Sequence, residues 1–320
     1  MPLNLEDLGF QEPHVIIGKT SIADIFPIGH RCGIYLLEFS NGEFYCGQAK
    51  DVTRRYVQHC KTHRDISAIR FFEVDQHDLN EIEEHCIQSL ESEGYLLRNI
   101  IFVSVVNGET NFNQIMSLQN QHIWLIDRDY VDLDGERYQD ENLRRRYHNR
   151  YLRLMEQPKI NYVLSILRKY AQNFIPAVRR AEYHFWACSC LPYFQIKDFK
   201  TYSRFNINQQ EVFSVFYDGG KKQLQFSFQM AKSIVEEGGM WEQVKRKHQI
   251  HHLHKINFQY QPGGQDQLRF EIEGEDDIEK FLEDPTIRKS IRTFNLRLMR
   301  KGPCLNKMNH CLDLADHLLD

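Results

Sequence analysis

Two phenols, a guanidinium, an imidazole, a carboxylate and an amide stand out in the first hundred residues: Tyr35, Tyr45, Arg55, His59, Glu83 and Asn99. That set suits hydrolysis of a phosphodiester. A carboxylate can hold a hard divalent cation through oxygen, and Mg²⁺ needs only one or two protein ligands because it keeps most of its waters. An arginine can pair with the scissile phosphate and stabilise the charge that builds up there. A phenol or an imidazole can take the proton of an attacking water while a metal neutralises the leaving oxygen. Taken singly, each residue has a plainer reading: tyrosine is common in strands, and charged residues are common on solvated helix faces. The joint arrangement carries the chemistry.

The residues become a site only if the chain folds them together. Gly33 to Phe39 and Glu43 to Gly47 are β-formers flanking Ser40-Asn41-Gly42, and an Asn-Gly pair between such runs predicts a hairpin. Tyr35 and Tyr45 would then share a face of two antiparallel strands. Asp51 stands where a helix N-cap belongs, and Val52, Tyr56, Val57 and Cys60 give helical spacing up to the polar break at Lys61 to Asp65. Arg55 and His59, four apart, stack on one side of that helix. Ile66 to Val74 reads as a third strand. Asp78 to Glu93 reads as a second helix, with Leu79, Ile82, Cys86, Ile87 and Leu90 on one stripe and Gly94 placed to end it. Glu83 lies beside that stripe, where a carboxylate can point into a cleft. Glu84 competes for the metal, and the spacing to Ile87 and Leu90 favours Glu83.

In this order the residues resemble the GIY-YIG endonucleases. Gly33-Ile34-Tyr35 reads as the first half of that family's signature and Tyr45-Cys46-Gly47 looks like the second. In the family an arginine follows the second tyrosine by ten positions, which here is Arg55 rather than Arg54. His59 matches a histidine one helical turn later, Glu83 the metal-binding glutamate, and Asn99 the asparagine that closes the module. Both halves of the signature and four later residues in the right order are hard to obtain by chance. The departure is Cys46, where isoleucine or valine is usual, and a cysteine facing the core packs as a small hydrophobe. The resemblance covers roughly residues 31 to 105. It implies a small sheet flanked by helices that cuts one DNA strand per active site with one Mg²⁺ or Mn²⁺, the arginine on the phosphate and either tyrosine as general base.

The remaining residues are less specific. A chain of 320 residues is about twice the usual domain length, which predicts two domains with a sizeable core. With 42% hydrophobic and 12% aromatic residues it is neither disordered nor low in complexity. The net charge of −4 provides no global attraction to nucleic acid, so any contact with DNA must be a local patch. Eight cysteines without framework spacing fit reduced, mostly buried thiols and a cytoplasmic location. No apolar run approaches the length of a membrane span, and the first residues lack the pattern of an export signal. The expected class is α+β: an extension over 1–30, the nuclease-like module over 31–105, a mainly helical segment over 106–181, and a second α+β domain over 182–320 with strand-like and helical stretches in alternation. Asp218-Gly219-Gly220 and Gln261-Pro262-Gly263-Gly264 predict hairpin turns there.

Local basic patches are the candidate DNA contacts. Lys50 and Arg54 flank the start of the first helix, and Arg144, Arg145, Arg146 and Arg150 interleave with Tyr147 and Tyr151. Arginine alternating with aromatics can track phosphates and stack on bases. A second stretch, Arg288 to Lys301, reads more simply as a charged helix face. His248, His251, His252 and His254 form the densest imidazole cluster, and without a Cys-x-x-Cys pair it reads as basic surface rather than as a zinc site. The expectation is a metal-dependent DNA endonuclease whose later residues select a target, dimerise or dock a protein partner. Defence against foreign DNA is the favoured setting, because nothing after residue 105 resembles a repair or homing accessory domain. The alternatives are a nicking nuclease of repair or recombination, an RNA nuclease, and an inactive platform that binds without cutting.

Overall fold

Strand β2, Gly33–Phe39, organises the first hundred residues in the computed structural model, which describes residues 5–99, 102–106, 110–193, 198–236, 243–244, 246, 253–256 (backbone alone), 263–275 and 278–320. Every β2 residue except Glu38 is buried, so both faces of its sheet have to be covered. Ile34 and Leu36 turn to one face, and Tyr35, Leu37 and Phe39 to the other. Helix α1, Val52–Thr62, packs Val52 and Tyr56 into the cluster that holds Tyr35. Helix α2, Leu79–Ser92, packs Leu79, Cys86, Ile87 and Leu90 against Ile34, Leu36 and Cys46.

The sheet is antiparallel in the order β1-β4-β2-β3, with β1 at His14–Val15, β3 at Phe44–Ala49 and β4 at Ile66–Glu73. The β2–β3 hairpin forms at Ser40-Asn41-Gly42, where the Asn41 side chain accepts from the Glu43 amide at 3.2 Å. Two details depart from the sequence reading. Val57 is 41% exposed, and His59, 8% exposed, takes the buried place one turn after Tyr56. Residues 1–30 are also more than an extension, since β1 pairs with β4 and Ile16, Ile22 and Phe26 fill the core beneath α1.

By its internal contacts the chain divides at Gly108/Glu109, giving one unit of Met1–Gly108 and another of Glu109–Asp320. The helical segment and the residues after 182 are not separate domains, because they build one core. Helix α3 (Leu118–Ile126), α4 (Glu141–Met155) and α5 (Ile160–Phe174) share it with an antiparallel sheet in the order β5-β6-β7-β8-β10-β9. Its strands are Trp186–Cys190, Phe199–Ile207, Gln210–Asp218, Gln223–Met230, Leu253–Ile256 and Leu268–Glu273 in chain order. Trp186, Phe205, Phe213, Phe226, Phe228 and Phe270 line the core side. Helices α6 (Lys232–Glu236), α7 (Ile278–Glu283), α8 (Pro285–Lys301) and α9 (Leu312–Leu319) also belong to this unit. Strand β6 and helix α9 fall outside the stretches that the sequence pattern marks as strands (183–191, 212–217, 223–228, 255–260, 267–272) or helices (230–237, 276–283, 286–300).

All eight cysteines are free thiols, six of them buried. No helix among the described residues is long and apolar enough to cross a membrane. His248, His251 and His252, with Lys245 and Lys247 beside them, lie outside the described residues, as do Gln261 and Pro262 of the second expected turn.

Candidate active site

The free edge of β3 is where the two faces of the N-terminal sheet meet. Residues 44, 46 and 48 turn their backbone groups away from β2, and a buried or half-buried edge must find partners for them. The Phe44 amide donates to Leu96 O at 2.9 Å, and the Arg98 amide donates to Phe44 O at 2.7 Å. Asn99, 4% exposed, clamps the next residue, accepting from the Cys46 amide at 3.0 Å and donating to Cys46 O at 2.7 Å. The Gln48 amide donates to Glu83 Oε1 at 3.1 Å. The asparagine and the glutamate are thus placed by the same need, the satisfaction of one strand edge.

On the α1 face, register does the positioning. Tyr35 lies opposite Gly47 and Tyr45 opposite Leu37, which sets the two tyrosine rings diagonally, 6.3 Å apart and inclined by 20°. Gly47 has to be glycine, since a Cβ there would run into the Tyr35 hydroxyl and lie 3.0 Å from the Tyr45 ring. Gly33 is constrained in the same way by the carbonyl of Phe72 and the ring of Phe71. Asp51 caps α1 by accepting from the amides of Thr53 at 3.0 Å and Arg54 at 3.3 Å, and the helix carries Arg55 and His59 to the phenols. Tyr35 Oη lies 2.7 Å from His59 Nε2, and Arg55 Nε donates to the same oxygen at 3.3 Å. The Tyr45 ring stands 4.7 Å from the His59 ring.

Burial, the nearby Arg55 charge and His63 hold His59 down to about 4, so its imidazole is neutral near pH 7. The neutral ring in its Nδ1–H tautomer can accept the Tyr35 hydroxyl proton at Nε2 while Arg55 donates into the phenol oxygen. Burial and the neighbouring Tyr45 raise Tyr35, and burial raises Tyr45 against the pull of Arg55. Both are neutral phenols, able to pass a proton but not charged at rest. Burial also raises Glu83, opposed by Gln48 and Arg55.

Two predictions follow from this geometry. Replacing Asn99 with alanine strands the Cys46 N–H and C=O in the core, and the expected cost is about 2–3 kcal/mol to the N-terminal unit. Urea denaturation followed by far-UV circular dichroism should register it, while tryptophan fluorescence should not, because Trp124, Trp186 and Trp241 all lie after residue 108. The second concerns acid. As pH falls below about 6.5 the unfolded chain protonates this histidine, whereas folded His59 resists until about 4. Folding is therefore penalised progressively across that window. The stability of the wild type relative to His59→Gln should decline from pH 7 to pH 4, and a constant or growing difference would refute the assignment.

Among the sequence-based candidates, Tyr35, Tyr45, Arg55, His59 and Glu83 converge on this edge and its α1 face, and Asn99 holds the strand from outside. Glu84 faces elsewhere, accepting from Gln88 on its own helix at 2.9 Å. One participant was missed: Gln48 Nε2 donates to Glu83 Oε2 at 2.9 Å and to Asn80 Oδ1 at 2.5 Å, so it fixes the carboxylate from a second side. Strand alternation carried that signal, because Tyr45 and Gly47 face α1 and residue 48 must face α2. Lys50 and Arg54 are exposed beside the start of α1. In the second unit Arg145, Arg146 and Arg150 are exposed on α4, but Arg144 is bound by Asp313 at 2.9 Å and by Asp316, so its charge is neutralised within the fold. The Arg288 to Lys301 stretch is structural at its centre, with Arg292 1% exposed. No family model, curated protein or solved structure matches the chain.

Proposed function

We propose that the N-terminal unit is a metal-dependent DNA endonuclease of the GIY-YIG kind. The observation that carries this reading is the convergence of Arg55, the Tyr35–His59 hydrogen bond and the Glu83 carboxylate on one strand edge. Glu83 offers a hard oxygen donor in an orientation fixed by Gln48, with a lone pair on each oxygen beyond those used by the Gln48 donors, and this suits Mg²⁺ or Mn²⁺ with most of its waters retained. A cation held there would supply charge neutralisation at the leaving oxygen.

The protein's own groups do the rest. Arg55, its charge fixed by the neighbouring phenols, pairs with the scissile phosphate and stabilises its developing charge. The Tyr35 hydroxyl takes a proton from the attacking water as it passes its own to the neutral Nε2 of His59, so neither phenolate nor imidazolium is required beforehand. Tyr45 packs beside both rings, stacked at 20° on Tyr35 and tilted at 58° to His59, and holds them in place. One such site cleaves one strand, so a double-strand break requires two copies of the chain or two events.

Incubation of end-labelled DNA and RNA, single- and double-stranded, with the purified chain and Mg²⁺ or Mn²⁺ tests the reading. Internal cleavage of DNA is the expected result. Cleavage of RNA alone would move the activity to that substrate, and retention of intact DNA bound to protein in every metal would instead support a binding platform.

A further inference from the structure

The second unit carries a groove of about 480 Å³ that the phosphodiester chemistry does not use. Its floor is the polar face of β5, β6 and the start of β7, with Ser189 paired across the strands to Arg204, and Asn206 to Glu211. Arg150 of α4 stands on one side, the turn carrying Asn306 and Asn309 on another, and Gln209 and Tyr193 complete the rim. We infer that this groove is a nucleotide-binding site that reads a base edge and holds its phosphate.

Four observations support that ligand class. The groove falls within the ~300–1,000 Å³ range of small-molecule sites. Ser189 is 7% exposed, and its hydroxyl lacks a hydrogen-bond partner among the described residues. A buried hydroxyl without a partner is costly; its oxygen is covered as the side chain stands, and a rotation of Ser189 toward the groove would let a ligand atom relieve that cost. Four carboxamides line the groove, Asn206, Gln209, Asn306 and Asn309, and beyond the Asn306–Asn206 and Tyr147–Asn309 bonds they keep amide hydrogens and oxygen lone pairs of the kind that pair with base edges. The position of the asparagine-bearing turn is fixed, because Tyr147 of α4 donates to Met308 O at 2.7 Å and lies 3.3 Å from Asn309 Oδ1, while Asn306 reaches Asn206 at 3.4 Å.

The charge pattern places the phosphate. Glu211 is held by Arg204 at 3.1 Å and by the Ser214 hydroxyl, so that pair is internally balanced. Arg150 supplies the remaining positive charge, exposed beside the Tyr147 ring at 5.6 Å. It continues onto the α4 surface through Arg146, whose guanidinium lies 5.5 Å from the same ring. Tyr193, 78% exposed, stands at the rim, where its ring is within reach of a base entering the groove. The base would enter the amide-rich floor with its phosphate toward α4.

The test is an equilibrium titration of the full chain in EDTA, so binding is read whether or not the N-terminal unit cleaves. The four deoxynucleoside monophosphates and a short single-stranded oligonucleotide serve as probes. Saturable binding is expected, with Arg150→Ala, Gln209→Ala and Tyr193→Ala each weakening it about tenfold at unchanged melting temperature. An oligonucleotide bound more tightly than every monophosphate identifies a nucleotide within a strand as the ligand, and equal or weaker binding identifies a free nucleotide. Absence of saturable binding into the millimolar range, or affinities unaltered in all three variants, would overturn the inference.

Discussion

Exchange of Glu83 for glutamine is expected to lower metal-dependent DNA cleavage by about a thousandfold or more, the scale seen when a principal charge-stabilising group is lost. Glutamine keeps an acceptor for the Gln48 amide, so the strand edge stays paired and the fold is retained. What disappears is the negative charge that would hold a divalent cation beside Arg55. Raising the metal concentration should restore part of the rate, because the lesion is in binding. Glu84→Gln is the control. Its carboxylate interacts with Gln88 along α2, and a loss of comparable size in that variant would transfer the metal to Glu84. Melting curves of both variants should stay close to the wild type.

The second large effect is on stability and lies in the other unit. Arg292 donates to Asn173 O at 2.8 Å, to Trp124 O and Asp127 O at 2.7 Å, and to Tyr130 O at 3.0 Å. These carbonyls sit at or just beyond the C-terminal ends of α3 and α5, where partial negative charge gathers and intrahelical partners run out. The guanidinium also lies 4.7 Å from the Trp124 ring. Burial and the nearby Arg288 lower it to about 10, which leaves it charged at neutral pH. Arg292→Met keeps most of the volume and strands the carbonyls, with an expected loss of at least about 3 kcal/mol. Tryptophan fluorescence in urea reads this unit selectively. An unchanged midpoint would mean that water replaces the guanidinium without cost, and the stretch would return to the charged-surface reading.

The N-terminal unit could be read from sequence because its signals are local. The Asn-Gly turn, the Asp51 cap and the Leu79, Cys86, Ile87, Leu90 stripe each depend on a few neighbouring residues, and each appears in the structure close to its expected place. His59 was identified for its chemistry but not for its burial, since an imidazole among arginine and lysine reads as surface until Tyr35 is placed 2.7 Å away. Gln48 escaped notice because an amide between a glycine and an alanine carries no chemical signature. Its role arises only when α2 is laid across β3.

The second unit was harder for reasons that are also physical. Strand β6 buries Thr201, Ser203 and Tyr202 together, so the polar alternation that marks a half-exposed strand is missing. Helix α9 is short, and its apolar residues are buried by partners distant in sequence, including the α5 core. The division at residue 108 was obscured because Phe112, Trp124 and Tyr170 contribute to the same core as the sheet strands after Trp186. Runs of arginine proved ambiguous for a related reason. Arg144 and Arg292 are consumed by Asp313, Asp316 and helix carbonyls, while Arg145, Arg146 and Arg150 remain on the surface. Composition alone cannot separate the two groups.

The most direct test of the catalytic account is the nicking of supercoiled plasmid DNA by the full chain in Mg²⁺, in Mn²⁺ and in EDTA, with the Glu83→Gln protein alongside. The account predicts open circles from the wild type with either metal, and untouched supercoiled plasmid with EDTA or with Glu83→Gln. Plasmid left supercoiled by the wild type in both metals, or nicked equally by the Glu83→Gln protein, would contradict it.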